Sequence, residues 1–528
     1  MKRLFLAVVA LWVAFLGFAH AQFPPRHIAL GDWLMLHGSL GHNGFSALKG
    51  SITTWNVKYS ISAGEGESQP AVGDANGDGI PDIVFVNWFN CTVSSYNGST
   101  GSLQWRISLG GSGAPNAPAM ADLIPTSPGL EIVVSCGSAL YLLRGTDGSL
   151  IWVNSYGGFP APAVAFDGPD TLIISSDGAN VYALRPNGTL VWSATAGGTT
   201  YHSASPAIGD IDGDGRYEVV VYGNDGYVRA YRFSNGAFLW SSYVGSPAWS
   251  GVSLGDINGD CIDEVIVANS SGVLYTLRGT DGSTIWTYSL GAVPSGPISV
   301  ADINGDRIND IIVGLRNSSN ACVSGVGITV LSGTGTPLWS NWGWTPNAMH
   351  GGGRIVADFD GDGQLEIAGV PYGSWCSGDG TFRMFNALTG TLEWTYPYGV
   401  DAEGASMADV DGDMCAELML LPSCCGSMNI VVLDGPGTGC GFYPYNDTCG
   451  VLGYDDPVNV GEVISSDKFG VEGGKGGLFV NGEGYVVIYD NAGSKRFEGF
   501  VKGNRFVRLN KGIYYVKVGG GIRAVVVK

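Results

Sequence analysis

The sequence predicts an all-β chain, an eight-bladed β-propeller followed by a small antiparallel β-sandwich, and three observations predict it. A nonapeptide, DANGDGIPD at residues 74–82, returns as DIDGDGRYE at 210–218, DINGDCIDE at 256–264, DINGDRIND at 302–310, DFDGDGQLE at 358–366 and DVDGDMCAE at 409–417. After each copy comes a short apolar run such as Ile83-Val84-Phe85-Val86 or Val265-Ile266-Val267, which reads as a buried strand. A turn Gly followed four residues later by Trp gives Trp105, Trp152, Trp192, Trp240, Trp286, Trp339 and Trp394, and Gly50 precedes Trp55 by five, with spacings of 40 to 55 residues.

One aspartate loop lies between each successive pair of Trp residues, counting degenerate versions at residues 122–131 and 167–170, and one more follows Trp394. Eight loops and eight Trp imply eight repeats. A period near 45 residues with about four strands per unit is a propeller signature, with a solenoid or a seven-bladed ring as the weaker alternatives. A Trp at one place in every blade is a packing element. The strand at residues 51–60 has no loop before it, and the last loop is followed by a strand near 428–434 with no Trp after it. The simplest closure pairs those two strands in blade eight and buries Trp55 there, which removes two exposed sheet edges.

Each nonapeptide carries an oxygen-bearing side chain at positions 1, 3, 5 and 9 and a Gly at position 4. The candidate metal ligands are Asp74, Asn76, Asp78 and Asp82; Asp210, Asp212, Asp214 and Glu218; Asp256, Asn258, Asp260 and Glu264; Asp302, Asn304, Asp306 and Asp310; Asp358, Asp360, Asp362 and Glu366; and Asp409, Asp411, Asp413 and Glu417. Calcium takes about 6–8 oxygens, and a tight glycine turn lets alternate side chains and one carbonyl, expected at position 7, converge on it. Up to six calcium ions are expected. The last carboxylate at position 9, where an EF-hand has its own at position 12, excludes an ordinary EF-hand. Position 6 is Gly at 79, 215 and 363, but Cys261, Arg307 and Met414 stand there in the other copies and are expected to be strained.

PAVGDANGDGIPDIVFV and PAIGDIDGDGRYEVVVYG resemble FG-GAP (integrin-type) repeats, whereas NGTLVW and DGSTIW resemble the repeats of pyrroloquinoline-quinone-like propellers. The likeness spans residues 30 to 445. In FG-GAP proteins such loops bind calcium and staple neighbouring strands, a role the resemblance carries to the six complete copies. Ile124 and Pro125 in the second blade, and the short Asp167-Gly168-Pro169-Asp170 in the third, depart from the pattern, so neither blade is expected to hold a metal.

The formal charge is −20, and 22 of the 47 acids lie in the six loops, so six divalent ions would bring it to −20 + 12 = −8. So acidic a body excludes a nucleic-acid partner. Lys2 and Arg3, an apolar stretch over residues 4–18 and Ala19-His20-Ala21 read as an export signal (residues 1–21) leaving Gln22 first, and no later run is a membrane candidate. Secretion or cell-surface attachment follows as an expectation, and ten cysteines suit an oxidising compartment. Cys91 with Cys136, and Cys322 with Cys376, occupy matching places in neighbouring repeats, which makes cross-blade bridges the expectation.

The propeller is assigned residues 22–450 and a C-terminal domain residues 451–528. Residues 468–528 hold 11 Lys or Arg and 4 acids, against a strongly acidic body. YVVIYDNAGSKRF, GIYYVKV and a terminal strand resemble the sorting domain of type IX secretion cargo, which implies outer-membrane export machinery as a partner; a generic accessory sandwich is the alternative.

No zinc spacing and no G-x-S-x-G occurs, and no catalytic or organic-cofactor residues are assigned. His37 and His42, in LHGSLGHNGFS, are read as turn residues. The functional expectation is a calcium-binding surface or secreted module for adhesion, ligand binding or structure, its partner an extracellular protein or glycan. Trp342 and Trp344 are candidates for sugar stacking. The enzymatic alternatives are an eight-bladed polysaccharide lyase and a quinoprotein dehydrogenase, the latter suggested by the vicinal pair Cys424-Cys425, which lies in the last blade rather than an early one.

Overall fold

The computed structural model describes residues 38–440, apart from 47, 54–55, 64–68, 88, 112–116, 168–169, 199–204, 249, 317–325, 345–354, 370–380, 398–401, 414, 423–428 and 438–439, together with strands between 469 and 527. Trp55, His37, Met414, the leader and Cys322, Cys376, Cys424, Cys425 and Cys449 therefore lie outside the described residues.

Eight antiparallel sheets form the blades of a propeller. Blade 1 runs Ala71–Gly73, Asp82–Val86, Thr92–Asn97 and Leu103–Ser108, from the axis outward. Blades 2 to 8 begin at Ala119–Ala121, Ala163–Asp167, Ala207–Gly209, Ser253–Gly255, Ser299–Ala301, Ile355–Ala357 and Ala402–Ala408. Blade 6 carries an additional short strand, Val293–Pro294, on Asp310–Arg316. Second strands such as Asp82–Val86 and Glu264–Ala268 are buried at every residue, because neighbouring blades cover both faces. That is why they read as continuous apolar runs. Outer strands such as Leu103–Ser108 alternate between exposed and half-buried residues.

The ring closes through the N-terminal strand, as expected. Asn56–Ser62 pairs antiparallel with Asn429–Asp434, Asn56 facing Asp434 and Ser62 facing Asn429. The aromatic in the slot is a different one, however. In six blades the Trp indole N–H donates to a carbonyl of the next blade, from Trp105 to Gly145, Trp152 to Pro186, Trp192 to Phe233, Trp240 to Gly279, Trp286 to Gly333 and Trp339 to Ala387. Each ring packs on the next blade's turn glycine, where a Cβ on Gly236 would sit 2.6 Å from Trp192 and one on Gly282 2.4 Å from Trp240. In blade 8 the hydroxyl of Tyr59 donates to the Gly98 carbonyl of blade 1, and its ring covers Gly101. The register places Tyr59 in the slot: each outer strand has a bulge one residue before its aromatic, and Tyr59 faces Val432 as Trp105 faces Ser95.

Residues 40–46 follow the axis, a role that composition does not signal. The backbone N–H groups of Ile208, Leu254, Val300 and Val356, at the centre of four innermost strands, donate to the carbonyls of Leu40, Gly41, Asn43 and Gly44. Gly50 and Ile52 then donate to Asp358 and Phe359, and Ala416 to Lys49. The open inner edges of blades 4 to 7 are thus capped by the chain itself.

The C-terminal strands, Phe469–Gly474, Gly477–Asp490, Lys495–Arg508, Gly512–Val518 and Gly521–Val527, form one antiparallel sheet. The described residues give this sheet and not the second layer of the expected sandwich.

Candidate metal loops

All six complete nonapeptides join the innermost strand of a blade to its second strand, so position 1 follows one strand and position 9 begins the next. The position-1 carboxylate is the hub of the turn. In blade 1 Asp74 accepts the N–H groups of Gly77, Asp78 and Gly79, and Asp256 and Asp302 repeat the pattern. Position 3 accepts from the N–H of position 5, and position 5 from that of position 7, as Asn76 and Asp78 do. The position-9 carboxylate reaches back to the N–H of position 2 in blades 4 to 8 and of Asn76 in blade 1.

The glycine at position 4 has φ between 76° and 83° in all six loops, which accounts for its invariance within the chain. At position 6, Cys261 and Arg307 take φ of 71° and 72°, the strained conformation expected there.

The acids at positions 1, 3 and 9 come together. Asp210, Asp212 and Glu218; Asp358, Asp360 and Glu366; and Asp409, Asp411 and Glu417 each bring three carboxylate oxygens within 4.8 Å of one another. Where position 3 is Asn, its amide still meets position 9, with Asn258 Nδ2 2.8 Å from Glu264 Oε1 and Asn304 Nδ2 3.3 Å from Asp310 Oδ1. Asp214, Asp362 and Asp413 at position 5 fall outside these groups. Burial, reinforced by the neighbouring carboxylates, pushes Glu366 up to about 9, Glu218 and Glu264 to about 8, and Asp310 to about 7. Glu366 and Glu417 are fully buried, and the Oε1 of each has no hydrogen-bond partner. Such an atom fits a cation ligand.

The degenerate loops behave differently. In blade 3, Asp167 and Asp170 face Arg216, whose Nε is 2.9 Å and Nη2 3.5 Å from their carboxylates. In blade 2, Glu131 takes the place of the position-9 acid and accepts the N–H groups of Leu123 and Ile124, and Ile124 stands where the position-3 ligand is missing.

Basic and amide side chains from other strands reach into the complete loops, which the nonapeptides do not reveal. Lys58 Nζ lies 2.6 Å from Asp411, 2.8 Å from Asp434 and 3.7 Å from Glu417. Arg232 lies 2.6 Å from Asp212, 2.8 Å from Asp214 and 2.7 Å from Glu218. Lys49 Nζ approaches Asp358 at 3.3 Å, and Gln104 Nε2 donates to Asp82 at 2.7 Å. The available signal was positional: Lys58 and Gln104 both immediately precede the slot aromatic.

Cys91 and Cys136 form the expected bridge between blades 1 and 2, Cys415 is bridged to Cys440, and Cys261 is also disulfide-bonded. His42 is 3% exposed, has φ of 54° and sets Nδ1 against the Val252 carbonyl, which is a turn role. Trp342 is 43% exposed, on the outermost strand of blade 6 opposite Gly327 rather than at the axis.

Residues 90–341 match the protein family described as outer membrane protein assembly factor BamB. No curated protein matches the chain. Among solved structures, the quinohemoprotein alcohol dehydrogenase of Comamonas testosteroni is similar with a TM-score of 0.56 at 13% identity, over 80% of this chain and 83% of that one. A quinohemoprotein alcohol dehydrogenase of Pseudomonas putida HK5 gives 0.55 at 12%, over 76% and 80%. A europium-containing methanol dehydrogenase gives 0.53 at 13%, over 74% and 89%. At these identities the likeness is one of fold: the chain is an eight-bladed propeller of the architecture seen in quinoprotein dehydrogenases, and nearly half of it matches the BamB family.

Proposed function

We propose that this protein is an extracytoplasmic, calcium-stabilised propeller that serves as a binding, adhesion or structural module, secreted or held at the cell surface. The observation that carries the calcium reading is the repeated loop geometry. In three loops the carboxylates of positions 1, 3 and 9 converge on one point, and the buried Glu366 and Glu417 each leave an oxygen without a hydrogen-bond partner. Calcium there would be held by positions 1, 3 and 9 and would supply the positive charge those acids need. It would tie the innermost strand of a blade to the second. Chemically it is a staple.

The likeness to FG-GAP repeats supports this role. The disulfides Cys91–Cys136 and Cys415–Cys440 support an oxidising compartment, and no described helix is long and apolar enough to cross a membrane. The export signal at residues 1–21, the propeller at 22–450 and a sorting or attachment domain at 451–528 complete the proposal. A rigid frame carrying many loops suits recognition of an extracellular protein or glycan. The test is metal analysis of the purified protein together with its melting temperature before and after chelation. Bound calcium and a lower melting temperature after chelation support the reading, whereas no bound metal defeats it. Formation of an unsaturated uronate product, or quinone absorbance after reconstitution, would replace the binding role with an enzymatic one.

A further inference from the structure

The residue just before the slot aromatic is the bulge residue of the outer strand, and in three blades it bears on its own loop. In blade 1 it is Gln104, a neutral donor to position 9. In blade 7 it is Glu393, a further acid beside Asp360 and Asp362. In blade 8 it is Lys58, whose ammonium meets positions 3 and 9. Blade 4 receives a cation from the adjacent strand instead, since Arg232 lies opposite Glu218 and contacts positions 3, 5 and 9. One structural position thus carries opposite charges in neighbouring blades.

We propose that the loops of blades 4 and 8 carry their cation within the chain, the Arg232 guanidinium and the Lys58 ammonium standing where the other four complete loops take a calcium ion. The inference rests on the calcium reading and corrects its count from six to four. A calcium ion holds its oxygens at about 2.3–2.6 Å. It cannot share Asp411 and Glu417, or Asp212 and Glu218, with a basic group already at 2.6–2.8 Å from Asp411, Asp212 and Glu218 without expelling that group. Arg232 engages three carboxylates through a planar fork whose charge does not titrate away. Lys58 also holds Asp434, on the strand that pairs with its own, so the ammonium fastens the closing strand of the ring. Blade 3 already uses the same device, Arg216 facing Asp167 and Asp170 in a loop too short for a metal. Blade 7 is the contrast. Lys49 touches position 1 alone and Glu393 adds an acid beside Asp360 and Asp362, so no basic group engages positions 3 and 9 there.

The experiment is a site-resolved ion count on the full-length protein. Crystals soaked in a lanthanide, read by anomalous scattering, are expected to show peaks at the loops of blades 1, 5, 6 and 7 and none at blades 4 and 8. Bound calcium measured in solution is expected to rise from four ions to five in Lys58→Met and in Arg232→Met. Because either variant can misfold, the native crystal decides alone. A native peak between Asp411 and Glu417, or between Asp212 and Glu218, overturns the inference and leaves the calcium reading standing; no ion in any loop overturns both. An unchanged count in two folded variants also overturns it. As an independent readout, chelation is expected to lower the melting temperature of Lys58→Met more than that of the unaltered protein.

Discussion

Replacing Gly236 by Ala tests the lock between successive blades. Gly236 has φ of 69°, and a Cβ there would lie 2.6 Å from the ring of Trp192, whose indole N–H donates to Phe233 at 2.7 Å. The left-handed backbone alone costs an ordinary side chain about 1–2 kcal/mol. Displacing the ring adds about 1–3 kcal/mol of repacking, and the loosened hydrogen bond about 1 kcal/mol, so the total is about 3–6 kcal/mol. Gly291 is the control, because its φ is also 69° and no atom lies within 4 Å of the position a Cβ would take. Gly291→Ala is expected to lose only the backbone part. Urea unfolding followed by tryptophan fluorescence reads both. In a Trp192→Leu background the excess cost of Gly236→Ala is expected to shrink, since the two residues are in contact. Equal losses for Gly236→Ala and Gly291→Ala, or an undiminished excess without the ring, would refute the reasoning.

Asp358→Ala is expected to remove one bound calcium ion and lower the melting temperature, whereas Asp122→Ala and Asp167→Ala leave the metal content unchanged; equal metal loss in all three, measured by plasma mass spectrometry, would contradict the division between complete and degenerate loops. In calcium-free buffer the melting temperature should fall between pH 5 and pH 9. Glu366, Glu218 and Glu264 are held up at about 9, 8 and 8 against an ordinary value of 4.5, so their contribution is complete below about pH 4.5 and is lost as pH rises through those values. Excess calcium should flatten or reverse that slope, and a slope indifferent to calcium would count against the loops as its site. Deleting residues 22–62 should cause aggregation or a large stability loss, because it strips the strand paired with Asn429–Asp434 and the segment capping Ile208, Leu254, Val300 and Val356. A soluble deletion of unchanged stability would contradict the closure.

Blade number, closure and loop placement were legible because each rests on a local repeat. The nonapeptide dictates a turn through Gly and Asp chemistry, and the apolar run dictates a strand covered on both faces. Tyr59 was not legible, since the slot residue of blade 8 is a Tyr with no turn Gly four residues before it, and the Gly-to-Trp spacing pointed to Trp55 instead. The axial course of residues 40–46 escaped for a similar reason. Its contacts are carbonyls meeting the N–H groups of inner strands more than 160 residues away, which leave no side-chain pattern. Lys58 and Arg232 lie outside the nonapeptides, and only the pairing of their strands brings them to the acids. Convergence at positions 1, 3 and 9 followed from the spacing, whereas Asp214, Asp362 and Asp413 at position 5 fall outside the converging acids.

The most direct measurement of the central claim is the thermal unfolding of the purified protein with a chelator and after calcium is returned. Ligands that bind only the native state stabilise it by RT ln(1 + [L]/Kd), about 2.7 kcal/mol for each ion at a hundredfold excess over Kd. Several loops acting together predict a large fall in melting temperature on chelation and full recovery with calcium. A melting temperature identical in chelator and in calcium would contradict the account.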